Sequence, residues 1–140
     1  ACFPPTATVV LASGASVPYS KLAVGDSVLS VRADGSLFFD TVFRVPHYDP
    51  EATQEYVRIT TDAGATLDIS PLHMLHVDEC CSLSTLSLAR DVVVGSTVFV
   101  TVDGAVQPAA VVSVERYTTV GAFNVHTLSG NIVVDGVAAS

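Results

Sequence analysis

The chain has 140 residues, 49% hydrophobic and only 14% charged, which supplies enough apolar side chains to close the core of a single domain over residues 1–140. Six Lys and Arg against fourteen Asp and Glu leave a net charge of -8, so there is no cationic surface for phosphates, which argues against nucleic acid or an anionic membrane surface as a partner. No apolar run approaches the roughly 20 residues that span a bilayer, and no signal-peptide pattern is present.

The chain opens on Ala1-Cys2-Phe3-Pro4-Pro5. A thiol directly after a peptide bond can attack the preceding carbonyl through a five-membered ring and turn the amide into a thioester. Cys2 is therefore a candidate nucleophile, with the Ala1-Cys2 bond as its substrate, and the competing reading is a terminal thiol that only packs. From there the hydrophobic period is two. Residues 6–11, 27–31, 56–60, 66–69, 98–102 and 132–134 read as strands, and Asp34-Gly35 and Asp103-Gly104 read as tight hairpin turns. Helix is confined to single turns near residues 19–22 and 86–91, so the domain is expected to be all-β.

An internal repeat is visible. Residues 21–29 (KLAVGDSVL) match residues 91–99 (DVVVGSTVF), and an Asp-Gly hairpin follows each. Residues 57–64 (VRITTDAG) likewise line up with residues 123–130 (FNVHTLSG), each followed by another apolar run. Two halves of one plan, each too small to close its own core, predict a pseudo-two-fold duplicated β-unit.

Between the repeats, Leu67-Asp68-Ile69-Ser70-Pro71-Leu72-His73 ends a strand at Pro71 and places His73 three residues after a hydroxyl. Expelling an amine from a tetrahedral carbon requires a proton donor, and His titrates near neutrality, so His73 is the candidate acid or base and Ser70 a group to hold the amide or the imidazole. A buried, hydrogen-bonded turn histidine is the alternative. Asp62 and Asp68 read as solvated carboxylates. Adjacent Cys80 and Cys81 read as free thiols, because neighbouring cysteines rarely form an ordinary bridge. A metal reading would gather Cys80 and Cys81 with His73 or His76, but no second paired ligand cluster at zinc-finger spacing is present, so no metal and no cofactor are expected.

Four segments together, Cys2-Phe3-Pro4-Pro5-Thr6-Ala7-Thr8-Val9, Leu22-Ala23-Val24-Gly25-Asp26-Ser27-Val28-Leu29, residues 60–67 (TTDAGATL) and residues 130–140 (GNIVVDGVAAS), resemble the Hedgehog autoprocessing domain of the Hint superfamily, which also contains inteins. The resemblance covers essentially the whole chain and implies a horseshoe-like Hint fold. It also implies single-turnover cleavage before Cys2: an N-to-S acyl shift assisted by His73, with Ser70 where the family usually has Thr, followed by transfer of the upstream acyl group to a second nucleophile. A sterol, another lipid alcohol or water would serve as that nucleophile. Where Hedgehog domains carry the Asp that activates the sterol hydroxyl, ungapped alignment places His47, a candidate base whose alternative reading is a loop histidine. Ala1 replaces the usual Gly, and the chain end carries no Asn for intein-type cyclisation. The implied partner is an upstream polypeptide of the same chain, in a monomer of the secretory pathway or extracellular space, with membrane contact only through a sterol-recognition region beyond Ser140. An intein-like element limited to thioester hydrolysis and a non-catalytic β interaction module remain alternatives.

Overall fold

The computed structural model describes residues 1–140. Period-two patterning is realised as eleven strands: β1 (Thr8–Val10), β2 (Ser16–Pro18), β3 (Ser27–Val31), β4 (Leu37–Thr61), β5 (Thr66–Ile69), β6 (Met74–His76), β7 (Leu86–Leu88), β8 (Thr97–Val102), β9 (Ala105–Thr127), β10 (Ile132–Val134) and β11 (Val137–Ala139). The only other regular pieces are single 3-10 turns at Tyr19–Lys21, Leu83–Thr85 and Ala89–Asp91. The all-β expectation holds, and no helix is long and apolar enough to cross a membrane. Residues 86–91, expected as one helical turn, divide into strand β7 and a 3-10 turn.

β4 and β9 organise the sheet. β4 pairs first with β3, then with β9 and β5, while β9 passes from β8 to β4. β4 extends far beyond the strand expected at residues 56–60 and runs through Pro46 and Pro50, and β9 occupies residues where no strand is expected. In the structure these prolines fall where the β4–β9 register shifts, between Arg44 and His47 and between Asp49 and Thr53. A residue without an N–H fits a bulged ladder without ending the strand.

The repeat is built as two equivalent units. Tyr19–Lys21 and Ala89–Asp91 form matching turns, closed by Leu22 N–H on Tyr19 O (3.1 Å) and Val92 N–H on Ala89 O (3.2 Å). Gly25 and Gly95 follow at φ 97° and 96°, donating to Val42 O and Val111 O respectively. Asp26 Oδ2 accepts from Ala23 N–H as Ser96 Oγ accepts from Val93 N–H. Gly64 and Gly130 both turn at φ 84° into β5 and β10. The core lies between the units and contains Phe3, Tyr19, Val28, Ile59, Leu67 and Ile132, all at most 1% exposed.

Two expectations are corrected. Asp68 is not solvated: Arg58 donates to both its oxygens (2.9 and 3.0 Å) and Tyr117 Oη–H donates at 2.6 Å. Cys80 and Cys81 are not free thiols: their sulfurs are joined in a bridge between adjacent residues.

Gly121 fixes how the N-terminal segment reaches the sheet. It sits at φ 115°, Tyr56 Oη–H donates to its carbonyl at 2.6 Å, and a Cβ there would lie 2.4 Å from Pro5 Cγ. Gly121→Ala is therefore expected to lower the unfolding free energy by more than about 1 kcal/mol in urea titrations. An unchanged midpoint would show that the Pro5 contact yields freely.

Candidate active site

Cys2 is carried into the interior by its neighbour. Phe3 exchanges two backbone hydrogen bonds with Phe123 of β9 (2.8 and 3.1 Å) and packs its ring 4.8 Å from Tyr19 and 4.5 Å from His73. Anchoring Phe3 leaves Cys2 only 1% exposed, while Ala1 projects to the surface.

Ser70 clasps Cys2 from the other side. Cys2 N–H donates to Ser70 Oγ at 2.7 Å, and Ser70 N–H donates to Cys2 O at 3.0 Å. The first of these holds the nitrogen of the Ala1-Cys2 bond itself. Pro71 then turns the chain, His73 N–H donates to Ser70 O at 3.0 Å, and His73 enters the core at 3% exposure. Cys2 and Ser70, 68 positions apart in sequence, thus share one buried locus with His73.

The His73 imidazole is asymmetric. Its Nε2 lies 2.7 Å from Ser140 O, which can only accept, so Nε2 carries the proton. Nδ1, which then bears the lone pair, is buried and is the one buried side-chain nitrogen or oxygen without a hydrogen-bond partner. Burial pushes the His73 pKa down to about 4, opposed by the bond to Ser140 and assisted by the α-ammonium of Ala1 and by His126. Burial also raises the Cys2 thiol, the Ala1 ammonium opposes that rise, and the charge of Asp49 adds to it. Thiol and imidazole are both held neutral.

His47 lies on strand β4, not in a loop, with Asn124 as its Cα partner; its side chain is exposed and makes no hydrogen bond. No hydrogen bond joins it to Cys2, Ser70 or His73. Sequence reasoning missed three nearby groups. Asp49 shares a face of β4 with His47 and is the carboxylate whose charge acts on Cys2. Tyr19 accepts Val125 N–H at 2.8 Å and supports Phe3 from behind. His126 lines, with Ala1, His73 and Ser140, an open cleft of about 520 Å³ whose walls include Phe43, Leu72, Met74 and Leu128. Only the tertiary arrangement singles these out, since each occupies an ordinary strand or turn position.

Two measurements check the geometry. Ser70→Ala leaves the buried Cys2 N–H unpaired and is expected to cost about 1–3 kcal/mol of stability, with Ser70→Thr restoring most of it in the same denaturation experiment. For His73, the unfolded chain takes up a proton near 6.5 and the folded chain only near 4. The stability contributed by neutral His73 is complete above pH 6.5, falls as pH falls through that window, and levels off below 4. His73→Gln should remove up to roughly 3 kcal/mol of this pH dependence, read as the difference between wild-type and variant stability profiles.

The family model described as the Hint module matches residues 1–140. Protein hedgehog of Drosophila virilis is 34% identical over 141 residues, and that of Drosophila melanogaster 32% over 142 residues, each alignment covering 99% of this chain. The chain spans only 29% and 30% of those relatives' lengths. Among solved structures, a DnaB intein from Synechocystis sp. PCC 6803 superposes with TM-score 0.83 at 14% identity, over 99% of this chain and 98% of that one. The gp41-1 intein superposes with TM-score 0.79 at 14% identity, over 99% and 96%. At such low identity the inteins speak for the fold, while the match over the full length decides the family: the chain belongs to the Hint family of self-splicing and autoprocessing modules.

Proposed function

We propose that this domain cleaves the peptide bond before Cys2 through an internal thioester and hands the upstream acyl group to a second nucleophile. The observation that carries the reading is the Ser70 clasp on the Cys2 amide beside a buried imidazole with one free lone pair. Cys2 Sγ attacks the Ala1 carbonyl carbon, closing a five-membered ring. The thiol proton passes to His73 Nδ1, the C–N bond breaks, and the departing Cys2 nitrogen takes that proton. An imidazolium as acidic as the depressed His73 pKa implies surrenders it readily. Ser140 O holds the opposite ring nitrogen throughout, and Ser70 keeps the amide from rotating.

With a polypeptide joined at Ala1, the α-ammonium becomes an amide. The thiol then loses a group that lowers its pKa, and the imidazole loses one that lowers its own. The substrate-bearing form therefore has the more basic imidazole and the less acidic thiol.

In the second step a hydroxyl or water attacks the thioester carbonyl, and Cys2 leaves as its thiol. The apolar cleft at Ala1 favours a lipid alcohol such as a sterol as the acceptor. Asp49, whose charge acts on the Cys2 thiol, and His47 on the same face are the candidate bases for that attack. The similarity to hedgehog proteins supports an upstream polypeptide in the same chain and a secretory or extracellular route for a monomeric domain.

The test joins a reporter upstream of Ala1 and treats the fusion with dithiothreitol, hydroxylamine or sterols, weighing products by mass spectrometry. Cleavage before Cys2 is expected with the strong nucleophiles, lost in Cys2→Ala and slowed about 10²- to 10⁴-fold in His73→Ala. Asp49→Asn should leave thiol-induced cleavage intact while slowing transfer to sterol or water, and His47→Ala in parallel tells the two bases apart. A fusion that survives every nucleophile would leave a β-module without this chemistry.

A further inference from the structure

A second group of reactive side chains stands apart from Cys2. His76 on β6 is wholly buried, and Cys80 and Cys81 follow it in the loop to β7. One ligand atom from each of the three lies within 4.8 Å of the others. Tetrahedral bonds of about 2.0 Å to nitrogen and about 2.3 Å to sulfur place ligand atoms roughly 3.5 to 4 Å apart, so small side-chain rotations close the set on one ion.

Asn131 prepares the imidazole. Both protons of its amide nitrogen are committed, to Val31 O at 3.0 Å and Cys81 O at 3.1 Å. Its Oδ1, 2.7 Å from His76 Nε2, therefore faces the ring as an acceptor, and Nε2 must carry the ring proton. The lone pair is left on Nδ1. That atom lies 2.8 Å from Thr85 Oγ1, which has a second acceptor in Ser82 O at 2.9 Å. Thr85 can thus direct its proton to Ser82 and release Nδ1 without becoming unpaired. An imidazole that donates from one nitrogen to a fixed oxygen and keeps a lone pair on the other has the tautomer of a metal-ligating histidine. Beside the pair, a cleft of about 290 Å³ lined by Arg32, Cys81, Ser82 and Asn131 gives access from solvent.

We propose that, once the Cys80–Cys81 bridge is reduced, the two sulfurs and His76 Nδ1 bind one thiophilic cation, zinc(II) by preference, with a fourth position open to the cleft. Two thiolates and an imidazole are a donor set suited to zinc, and two thiolates neutralise its charge. The redox step balances: two equivalents of a thiol reductant deliver two electrons and two protons to the bridge and become a disulfide themselves. Metal binding then releases the two thiol protons. The bridged and metal-bound forms exclude one another. This inference does not depend on the reaction at Cys2.

The test uses the 140-residue chain carrying Cys2→Ser, so that no third thiol competes. Reduced with a phosphine under argon and freed of it, the protein is titrated with cobalt(II) and then zinc(II). One equivalent of cobalt with a sulfur-to-cobalt charge-transfer band, displaced by zinc, is expected, and the bridged protein should bind none. Cys80→Ser or Cys81→Ser should weaken cobalt binding by at least about a hundredfold, more than the loss of a supporting residue costs. Wild-type chain provides a variant-free measurement: zinc should protect Cys80 and Cys81, not Cys2, from alkylation mapped by peptide mass spectrometry. Absence of the band in reduced protein, unprotected Cys80 and Cys81, or equal binding by the serine variants would overturn the proposal.

Discussion

The pairing of β4 with β9 is the constraint on which the remainder of the molecule depends. β4 belongs to the first repeat unit and β9 to the second, and each changes partners along its length, so the halves cannot separate without breaking the longest ladder in the structure. The same ladder sets the site. Phe123 of β9 bridges to Phe3, and that bridge together with the Ser70 hydrogen bonds holds Cys2 buried instead of trailing in solvent. The register shifts in β4 have a further effect, since the distance of His47 and Asp49 from Cys2 depends on where the bulges fall, which an ungapped alignment does not capture.

Burial governs the chemistry more than any specific ion pair does. Removing Cys2 and His73 from water disfavours both the thiolate and the imidazolium, so the site holds two neutral groups. Hydrogen bonds then supply direction. Ser70 orients the amide nitrogen, and the Ser140 carbonyl assigns the imidazole tautomer, leaving Nδ1 as an unsatisfied buried acceptor. An orphaned buried nitrogen costs stability, the kind of local deficit that functional sites retain.

The close superposition on inteins at 14% identity shows how little of this fold resides in particular core side chains. What the architecture requires is a succession of turns and alternating apolar positions. Glycines at positive φ begin β3 and β8 and lead into β5 and β10 in equivalent places, and Asp-Gly pairs close two-residue hairpins at residues 103–104 and 135–136 with both residues at positive φ. Such turns match the twist of the flanking strands and specify register locally.

The sequence by itself determined the all-β class, the duplicated plan and the thiol next to a peptide bond, because alternation, turn residues and covalent adjacency are local properties. Strand β3 is found over the predicted residues, and the Val-Gly steps recur in both halves as expected. His73 and Ser70 were legible through a proline-terminated strand, a local signal as well. The tertiary structure alone decided that β4 and β9 run through their prolines, that Asp68 is paired with Arg58 and Tyr117, and that His47 stands exposed on a strand. It also decided that Ser140, at the far end of the chain, sets the protonation of His73, and that Cys80 and Cys81 meet beside His76. Each of these depends on contacts between residues distant in sequence or on the exact backbone path of a loop, and neither leaves a trace in periodicity or composition.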